Sequence, residues 1–198
     1  MTKTVDYYLT LTSPWTYLGS ARFEAMARAH GAEIRVKPVN YGVIFPRTGG
    51  LPLPKRAPER QAYRLMELQR WRAHLDIPLN LHPKHFPCPD GDAACMVLAA
   101  EKTGGDPLSL AHAILGAVWT EDKDITDGET LVAIAESSGH DGRALRAVAE
   151  DPETKAAYDA QTEAAIKRGV FGAPTYIYQD ELFWGQDRLE FLDRALAD

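Results

Sequence analysis

Residues 7–19 read YYLTLTSPWTYLG and contain a sharp change of pattern. A run of apolar and β-prone residues ends at Thr12, and a helix-like pattern begins at Pro14. Ser13 stands between them, at the N-cap position, where a hydroxyl oxygen accepts a hydrogen bond from a free backbone N–H. Pro14 suits the first helical position because it has no N–H to leave unpaired. The stretch therefore predicts a strand that leads directly into a helix, with a hydroxyl group at the junction.

The start of the chain predicts a β-α-β unit. The first strand is expected over 4–11 and its helix over 14–30, where apolar residues recur at helical spacing. Gly31 is suited to end that helix, and residues 33–39 alternate like a second strand. This order favours a parallel strand pair joined by a right-handed crossover.

The middle of the chain is predicted to be helical apart from two proline-rich stretches. Residues 42–58 hold four prolines and two adjacent glycines and are predicted to form a long loop that shapes a binding site. Residues 77–90 are predicted to be irregular. Helices, separated by glycine and proline, are expected over 59–75, 92–102, 107–120, 127–137, 141–149 and 152–168.

The end of the chain returns to a strand pattern. PTYIY at 174–178 and LFW at 182–184 predict two short strands joined by a turn. Residues 187–196 predict a closing amphipathic helix, which Asp187 is suited to cap.

The full order is β-α-β, then helices, then β-β-α, which is the order of a thioredoxin-like fold interrupted by an all-helical insertion. We therefore expect an α/β protein. Residues 1–76 and 169–198 are expected to form the two parts of the thioredoxin-like domain, and residues 77–168 a mainly helical insertion.

Composition argues against several classes of function. The 198 residues carry a net charge of −6 and no basic run, unlike a nucleic-acid-binding protein. No stretch of about 18 apolar residues predicts a membrane span, and the first residues lack a signal-peptide pattern. We therefore expect a cytoplasmic protein whose two cysteines, Cys88 and Cys95, are reduced.

A metal site is not expected. His82, His85 and Cys88 have metal-like spacing, but the surrounding prolines favour an extended segment, and no fourth ligand is evident.

The junction at Ser13 is where redox-active thioredoxin folds carry a CxxC motif. The helix N-terminus stabilises a thiolate there through its free N–H groups and the positive end of the helix dipole. In this chain the four residues are Ser13-Pro14-Trp15-Thr16, so a serine and a threonine stand where the two cysteines would be. The chain cannot exchange dithiol and disulfide at this position.

A second motif, GVFGAPT at 169–175, lies directly before the predicted third strand. In thioredoxin folds this loop carries a cis-proline that faces the active-site helix. The residue before the proline offers its backbone N–H and C=O to an extended thiol peptide. The position of the motif therefore predicts a cis Ala173–Pro174 bond, although most X–Pro bonds are trans.

With these motifs in place, the chain resembles 2-hydroxychromene-2-carboxylate isomerases and kappa-class glutathione transferases. The resemblance covers nearly the whole length and is carried by YYLTLTSPWTYL, by ELQRWRAHLDIPL with HFP, and by GVFGAPTYIYQDELFWGQDRL. It implies glutathione as cofactor, a small aromatic substrate, a role in aromatic-hydrocarbon degradation and a homodimer.

The resemblance also implies roles for individual residues. Ser13 would hydrogen-bond the sulfur of glutathione and favour the thiolate over the thiol. Ala173 and Pro174 would hold the cysteinyl part of glutathione. Asp187 would take its γ-glutamyl ammonium group, and Gln186, with nearby N–H groups, would suit its carboxylate.

The middle loop departs from the better-known transferases, which have an asparagine and a lysine there. Leu51 and Arg60 stand near those positions, and Arg60 is suited to hold a carboxylate. The missing asparagine puts transferase activity in more doubt than isomerase activity. Trp15, Tyr17 and Phe45 are candidates to line an aromatic substrate groove, with ordinary core packing as the alternative for each.

Three functions stay open. An isomerase would convert 2-hydroxychromene-2-carboxylate to trans-o-hydroxybenzylidenepyruvate without consuming glutathione. A kappa-like transferase would consume glutathione stoichiometrically. A non-catalytic module would bind thiol peptides or a protein and would need no apolar substrate groove.

Overall fold

The protein is described by a computed structural model over residues 2–197 and is built on a four-stranded mixed sheet. The strands are β1 (Thr4–Leu9), β2 (Glu33–Pro38), β3 (Thr175–Tyr178) and β4 (Glu181–Trp184). Their order in the sheet is β2-β1-β3-β4. β1 runs parallel to β2 and antiparallel to β3, which pairs antiparallel with β4. This topology confirms the predicted thioredoxin-like fold.

The predicted helices are present, and each begins and ends within two residues of its expected bounds. Acidic or hydroxyl side chains that accept first-turn N–H groups start many of them, which explains why the boundaries are readable in the sequence. The helices are α1 (Pro14–Ala29), α2 (Tyr41–Thr48), α3 (Pro58–Leu75), α4 (Gly91–Lys102), α5 (Pro107–Trp119), α6 (Gly128–Ser137), α7 (Gly142–Glu150), α8 (Pro152–Lys167) and α9 (Leu189–Ala197).

The prediction of one long loop over 42–58 is wrong, because α2 occupies its first half. The Asn40 side chain caps this helix by accepting from the Gly42 N–H at 2.9 Å. Tyr41 and Ile44 are buried on its inner face. A side-chain cap and two buried anchors outweigh the helix-breaking residues in this stretch. A short 3-10 turn, Leu53–Lys55, follows.

Apolar residues cover both faces of the sheet. On one face, the rings of Tyr7 and Tyr176 stack at 5.3 Å, and Phe23 of α1 packs against Tyr176 at 4.5 Å. This core continues into the insertion, where every residue of α4 from 93 to 100 is buried. On the other face, Tyr8 and Ile177 belong to a smaller cluster with residues of α2 and the end of α8. Within residues 2–197, no helix combines the length and apolar character that a membrane crossing requires.

Candidate functional site

Strand register brings the two predicted motifs together. Tyr8 of β1 pairs with Thr175 of β3 in an antiparallel arrangement. The two residues before Thr175 therefore lie just beyond the end of β3 that adjoins the end of β1 leading to Ser13. Those two residues are Ala173 and Pro174, and the bond between them is cis, as predicted. The cis-proline loop thus lies beside the loop that leads to Ser13.

Ser13 caps α1. Its backbone is extended (φ −81°, ψ 123°), and its Oγ accepts from the Thr16 N–H at 3.2 Å. Because the oxygen acts as the acceptor in this bond, the hydroxyl proton is free to be donated to another group. The side chain is half-buried and stands at the positive end of the helix dipole. The position therefore offers one hydroxyl donor in a field that favours an anion.

The loop before the cis-proline is anchored through the carbonyl of Gly172. The hydroxyl of Tyr41 donates to this carbonyl at 2.7 Å, and the hydroxyl of Thr175 donates to it at 2.6 Å. Burial raises the pKa of Tyr41 well above its ordinary value, so the phenol stays protonated as a donor. The sequence did not single out Tyr41, because it opens the helix that was predicted to be a loop.

Ala173 presents an open backbone edge. Gly185 N–H donates to Pro174 O at 2.9 Å and holds the loop against β4. Across residues 2–197, neither the N–H nor the C=O of Ala173 has a hydrogen-bond partner. An extended peptide can pair with such an edge as an added strand does.

Gln186 lies against α1 because Gly19 leaves room for it. A Cβ at Gly19 would stand 2.7 Å from the Cβ of Gln186. The Gln186 side chain is 2% exposed, and its Oε1 accepts from Arg22 Nη1 at 2.7 Å. The side-chain amide oxygen is therefore used inside the fold, where it fixes the chain end to α1.

Asp187 lies beside this contact and is exposed. The prediction that it caps the last helix is wrong, because Gln186–Arg188 form a 3-10 turn before α9, with Gly185 at the N-cap position. Asp187 Oδ2 accepts from Arg188 Nη1 at 2.7 Å instead of from a backbone N–H. Its carboxylate is accessible from solvent near the cis-proline loop.

Asp90 is a site residue that the sequence analysis missed. Its Oδ2 accepts from the Leu11 N–H at 2.8 Å and from the Thr10 hydroxyl, so it holds the loop that ends at Ser13. Burial raises the pKa of this carboxyl, and these two hydrogen bonds oppose the rise. Asp90 lies in the proline-rich stretch about 80 positions from its partners, and no local pattern connects them.

Neither cysteine is prepared for thiolate chemistry. Cys88 is half-buried, and burial together with the nearby Asp90 and Asp124 carboxylates raises its pKa to about 11. Cys95 is buried in α4, and burial raises the pKa of its thiol as well. Both side chains are thiols at neutral pH. Any thiolate at Ser13 has to come from outside the chain.

The aromatic candidates take part in packing. Trp15 and Tyr17, in the first turn of α1, pack against the main core. The Tyr17 hydroxyl donates to Pro78 O at 2.8 Å and ties α1 to the irregular stretch. Phe45 packs on the smaller cluster, with its ring 5.4 Å from that of Tyr41. A role in lining a substrate groove stays a prediction for all three.

The remaining predicted residues belong to neither of these two motifs. Arg60 is exposed in the first turn of α3. His85 Nδ1 lies 3.4 Å from Asp124 Oδ2. In the part of the chain that the structure describes, no three His, Cys, Asp or Glu side chains are grouped to hold a metal ion.

Comparison with known proteins agrees with this geometry. Residues 4–197 match the sequence model of the family described as "DSBA-like thioredoxin domain". The chain belongs to this family. One relative of this DSBA-like chain is the 2-hydroxychromene-2-carboxylate isomerase of Sphingobium xenophagum, which is 30% identical over 199 residues and covers 100% of both chains. Human glutathione S-transferase kappa 1 is 27% identical over 212 residues, covering 99% of this chain and 92% of the relative.

A solved structure of 2-hydroxychromene-2-carboxylate isomerase superposes on the DSBA-like chain with a TM-score of 0.84. It is 29% identical in sequence, and the match covers 98% of this chain and 94% of the other. The resemblance inferred from the three motifs is confirmed.

Proposed function

We propose that this chain is a glutathione-dependent isomerase of aromatic substrates of the 2-hydroxychromene-2-carboxylate type. The observation that carries the proposal is the serine at the capping position of α1, beside the unpaired backbone edge of Ala173. A thioredoxin-like site without its own cysteine is suited to a thiol brought by a small peptide. The similarity to proteins named as isomerases and as a glutathione transferase supports the same assignment.

The donor set fits glutathione. The Ala173 edge would pair with the cysteinyl backbone, as it would with any extended thiol peptide. The Ser13 hydroxyl proton would be donated to the sulfur and would favour the charged thiolate. The Asp187 carboxylate, exposed two residues after the Gly185–Pro174 hydrogen bond, would take the γ-glutamyl ammonium group.

Bound glutathione would supply a thiolate that adds to a conjugated double bond and leaves again, so that the bond can rotate while glutathione is neither consumed nor oxidised. The protein's part is to bind that sulfur and to stabilise its thiolate form. The α1 N-terminus and Ser13 lower the energy of the anion. Asp90 keeps the loop that carries Ser13 in place through the Leu11 N–H.

The raised pKa values of the two cysteines favour a mechanism in which the reacting thiol comes from a cofactor. With the pKa of Cys88 raised to about 11, less than about one molecule in a thousand carries that thiolate at pH 7. A mechanism that uses the protein's own thiol would have to overcome this protonation. A thiol bound at Ser13 would instead be stabilised as the thiolate by the N-terminal end of α1.

The test is turnover of 2-hydroxychromene-2-carboxylate with glutathione at roughly one-hundredth of the substrate concentration. Complete conversion, with the glutathione recovered unchanged, is the expected result. A reaction that stops when the glutathione is used up would identify a transferase. Glutathione binding by calorimetry without any turnover would identify a binding module.

Transferase activity is the second candidate, because the human kappa transferase matches along almost the whole chain. It uses the same thiolate and differs in releasing a conjugate. We further propose a homodimer and a cytoplasmic location for the enzyme. Sedimentation of the purified protein tests the dimer, and fractionation of the source cells tests the location.

A further inference from the structure

Three arginines around the start of α3 have no acidic partner among the residues that the structure describes. Arg56 precedes the helix, and Arg60 and Arg64 follow at intervals of four residues, so the last two lie on one helix face. Burial lowers the pKa of Arg64 to about 10, and the neighbouring charge acting on it is that of Arg56. Burial and the charge of Arg60 in turn lower the pKa of Arg56. The chain has 28 acidic residues, yet none neutralises this group within the described range.

Arg64 is held in a way that leaves its donors unused. Its guanidinium lies over the ring of Phe86, with Cζ 5.3 Å from the ring centroid. Phe86 is backed by Trp119 at 4.9 Å. This cation–π contact leaves the N–H groups of Arg64 available to hydrogen-bond acceptors. Arg64 Nη2 is buried and has no hydrogen-bond partner among residues 2–197.

Arg56 is also fixed from behind. Its Nε donates to Leu51 O at 2.8 Å, and its own carbonyl accepts from Gln61 Nε2 at 2.8 Å. The first bond orients the side chain through Nε, and the second holds the backbone of Arg56. A buried donor without a partner costs stability. Arg64 therefore offers a buried donor for which an anion would supply the missing acceptor, and the charge of Arg56 acts on the same guanidinium.

One short segment connects this arginine site to the loop that carries Ser13. The segment from Phe86 to Asp90 spans four residue steps, at most about 14 Å between Cα atoms. The ring of Phe86 contacts the Arg64 guanidinium, and the Asp90 carboxylate accepts from the Leu11 N–H, two residues before Ser13. The site therefore lies at the far end of the segment that supports the Ser13 loop.

We propose that Arg64, together with Arg56 and Arg60, binds the carboxylate of an organic ligand, with the buried Nη2 of Arg64 as a donor. The planar carboxylate matches the guanidinium fork, and two oxygens can accept from two arginines. Its place in turnover rests on the proposed function, since both glutathione and the proposed aromatic substrate carry carboxylates. Binding of the anion itself does not depend on that function.

The test is calorimetric titration with three probes: salicylate as an aromatic carboxylate, glutathione, and γ-glutamylcysteine, which lacks the glycyl carboxylate. The variants are Arg64→Met, Arg64→Lys and the control Arg70→Met, whose arginine lies on the same helix but is exposed and paired with Glu67. Loss of a charge-assisted hydrogen bond is expected to weaken binding by tenfold or more in Arg64→Met. Arg70→Met is expected to stay within about twofold of the wild type.

The probes separate the two sources of the carboxylate. Weaker binding of salicylate alone assigns the site to the aromatic substrate. Weaker binding of glutathione but not of γ-glutamylcysteine assigns it to the glycyl carboxylate. Equal affinities in Arg64→Met and Arg70→Met for all probes, or no binding of any probe by the wild type, would overturn the proposal.

Two further readouts keep folding and function apart. Removing an unpartnered buried guanidinium is expected to leave the melting temperature of Arg64→Met unchanged or higher. If that variant fails to fold, Arg64→Lys decides, because unchanged carboxylate affinity there contradicts the site. Carboxylate binding that depends on Arg64 in a protein without isomerase activity would refute the proposed function and leave this site standing.

Discussion

Replacing Ser13 with alanine separates its role as a helix cap from its proposed role at the sulfur. The Oγ of Ser13 accepts a hydrogen bond from the Thr16 N–H at 3.2 Å, and the substitution leaves that N–H without its side-chain partner. Loss of such a cap costs about 1 kcal/mol. For a chain of 198 residues, this corresponds to a fall in melting temperature of about 2–4 °C.

The proposed chemical role predicts a second and larger effect. A hydrogen bond to a charged group is worth about 1.5–3 kcal/mol, and one pKa unit corresponds to 1.36 kcal/mol. Ser13→Ala is therefore expected to raise the pKa of bound glutathione by about one to two units, because the charged form loses its donor. The remaining effect of the α1 N-terminus keeps the pKa below that of the free thiol.

The assay is ultraviolet titration of the thiolate in the glutathione complex, together with thermal unfolding of both proteins. Asp141→Ala is the matched control, since Asp141 accepts from the Ala144 N–H at 3.0 Å in the same cap geometry on α7. It is expected to lower the melting temperature by a similar amount and to leave the thiolate pKa unchanged. An unchanged pKa in Ser13→Ala would show that Ser13 is a cap and nothing more.

Three further predictions concern the surroundings of this site. The Cys88→Ser, Cys95→Ser double variant is expected to keep glutathione binding and most isomerase activity, because both thiols are protonated at neutral pH; activity that needs the cysteines but not added glutathione would refute the cofactor role. Asp90→Asn is expected to keep an acceptor for the Leu11 N–H and to remove a pH dependence. Since the folded-state pKa of Asp90 is raised above 3.8, wild-type stability should fall as the pH rises through that raised value. Urea unfolding between pH 4 and 8 should therefore show that the stability of the variant relative to the wild type increases with pH. Gly19→Ala is expected to lower the free energy of unfolding by about 1–3 kcal/mol and to weaken glutathione binding, because its Cβ would stand 2.7 Å from that of Gln186. Gly116→Ala on α5, where the added Cβ meets open space, is the control and should be neutral or stabilising in the same denaturation series.

Much of the fold was readable because its signals are local. Capping side chains, first-turn prolines and the change of period from two to 3.6 mark most boundaries in this chain to within two residues. α2 escaped detection because Gly42, Pro46 and Gly49 read as loop residues. The buried Tyr41 and Ile44 that hold it depend on packing against β1 and α8, and no local pattern shows that packing.

The candidate site divides in the same way. Ser13 and the Ala173–Pro174 bond were predictable, since each lies at a junction between elements. The contact from Asp90 to Leu11 could not be predicted, because it joins residues about 80 positions apart. Arg64 likewise looks like a solvated helix residue, and its burial depends on Phe86 from the irregular stretch.

The position of β1 has a consequence for how the protein is made. β1 is an inner strand of the sheet, yet one of its neighbours, β3, follows about 165 residues later in the chain. At ordinary translation rates of 5–20 residues per second, roughly 8–33 s separate the synthesis of these two strands. During that interval Ser13 has no cis-proline loop beside it, and one edge of β1 is unpaired. The site is thus assembled only after β3 and the loop before it have left the ribosome, so a shorter nascent chain carries an open strand edge and cannot yet hold a thiol peptide.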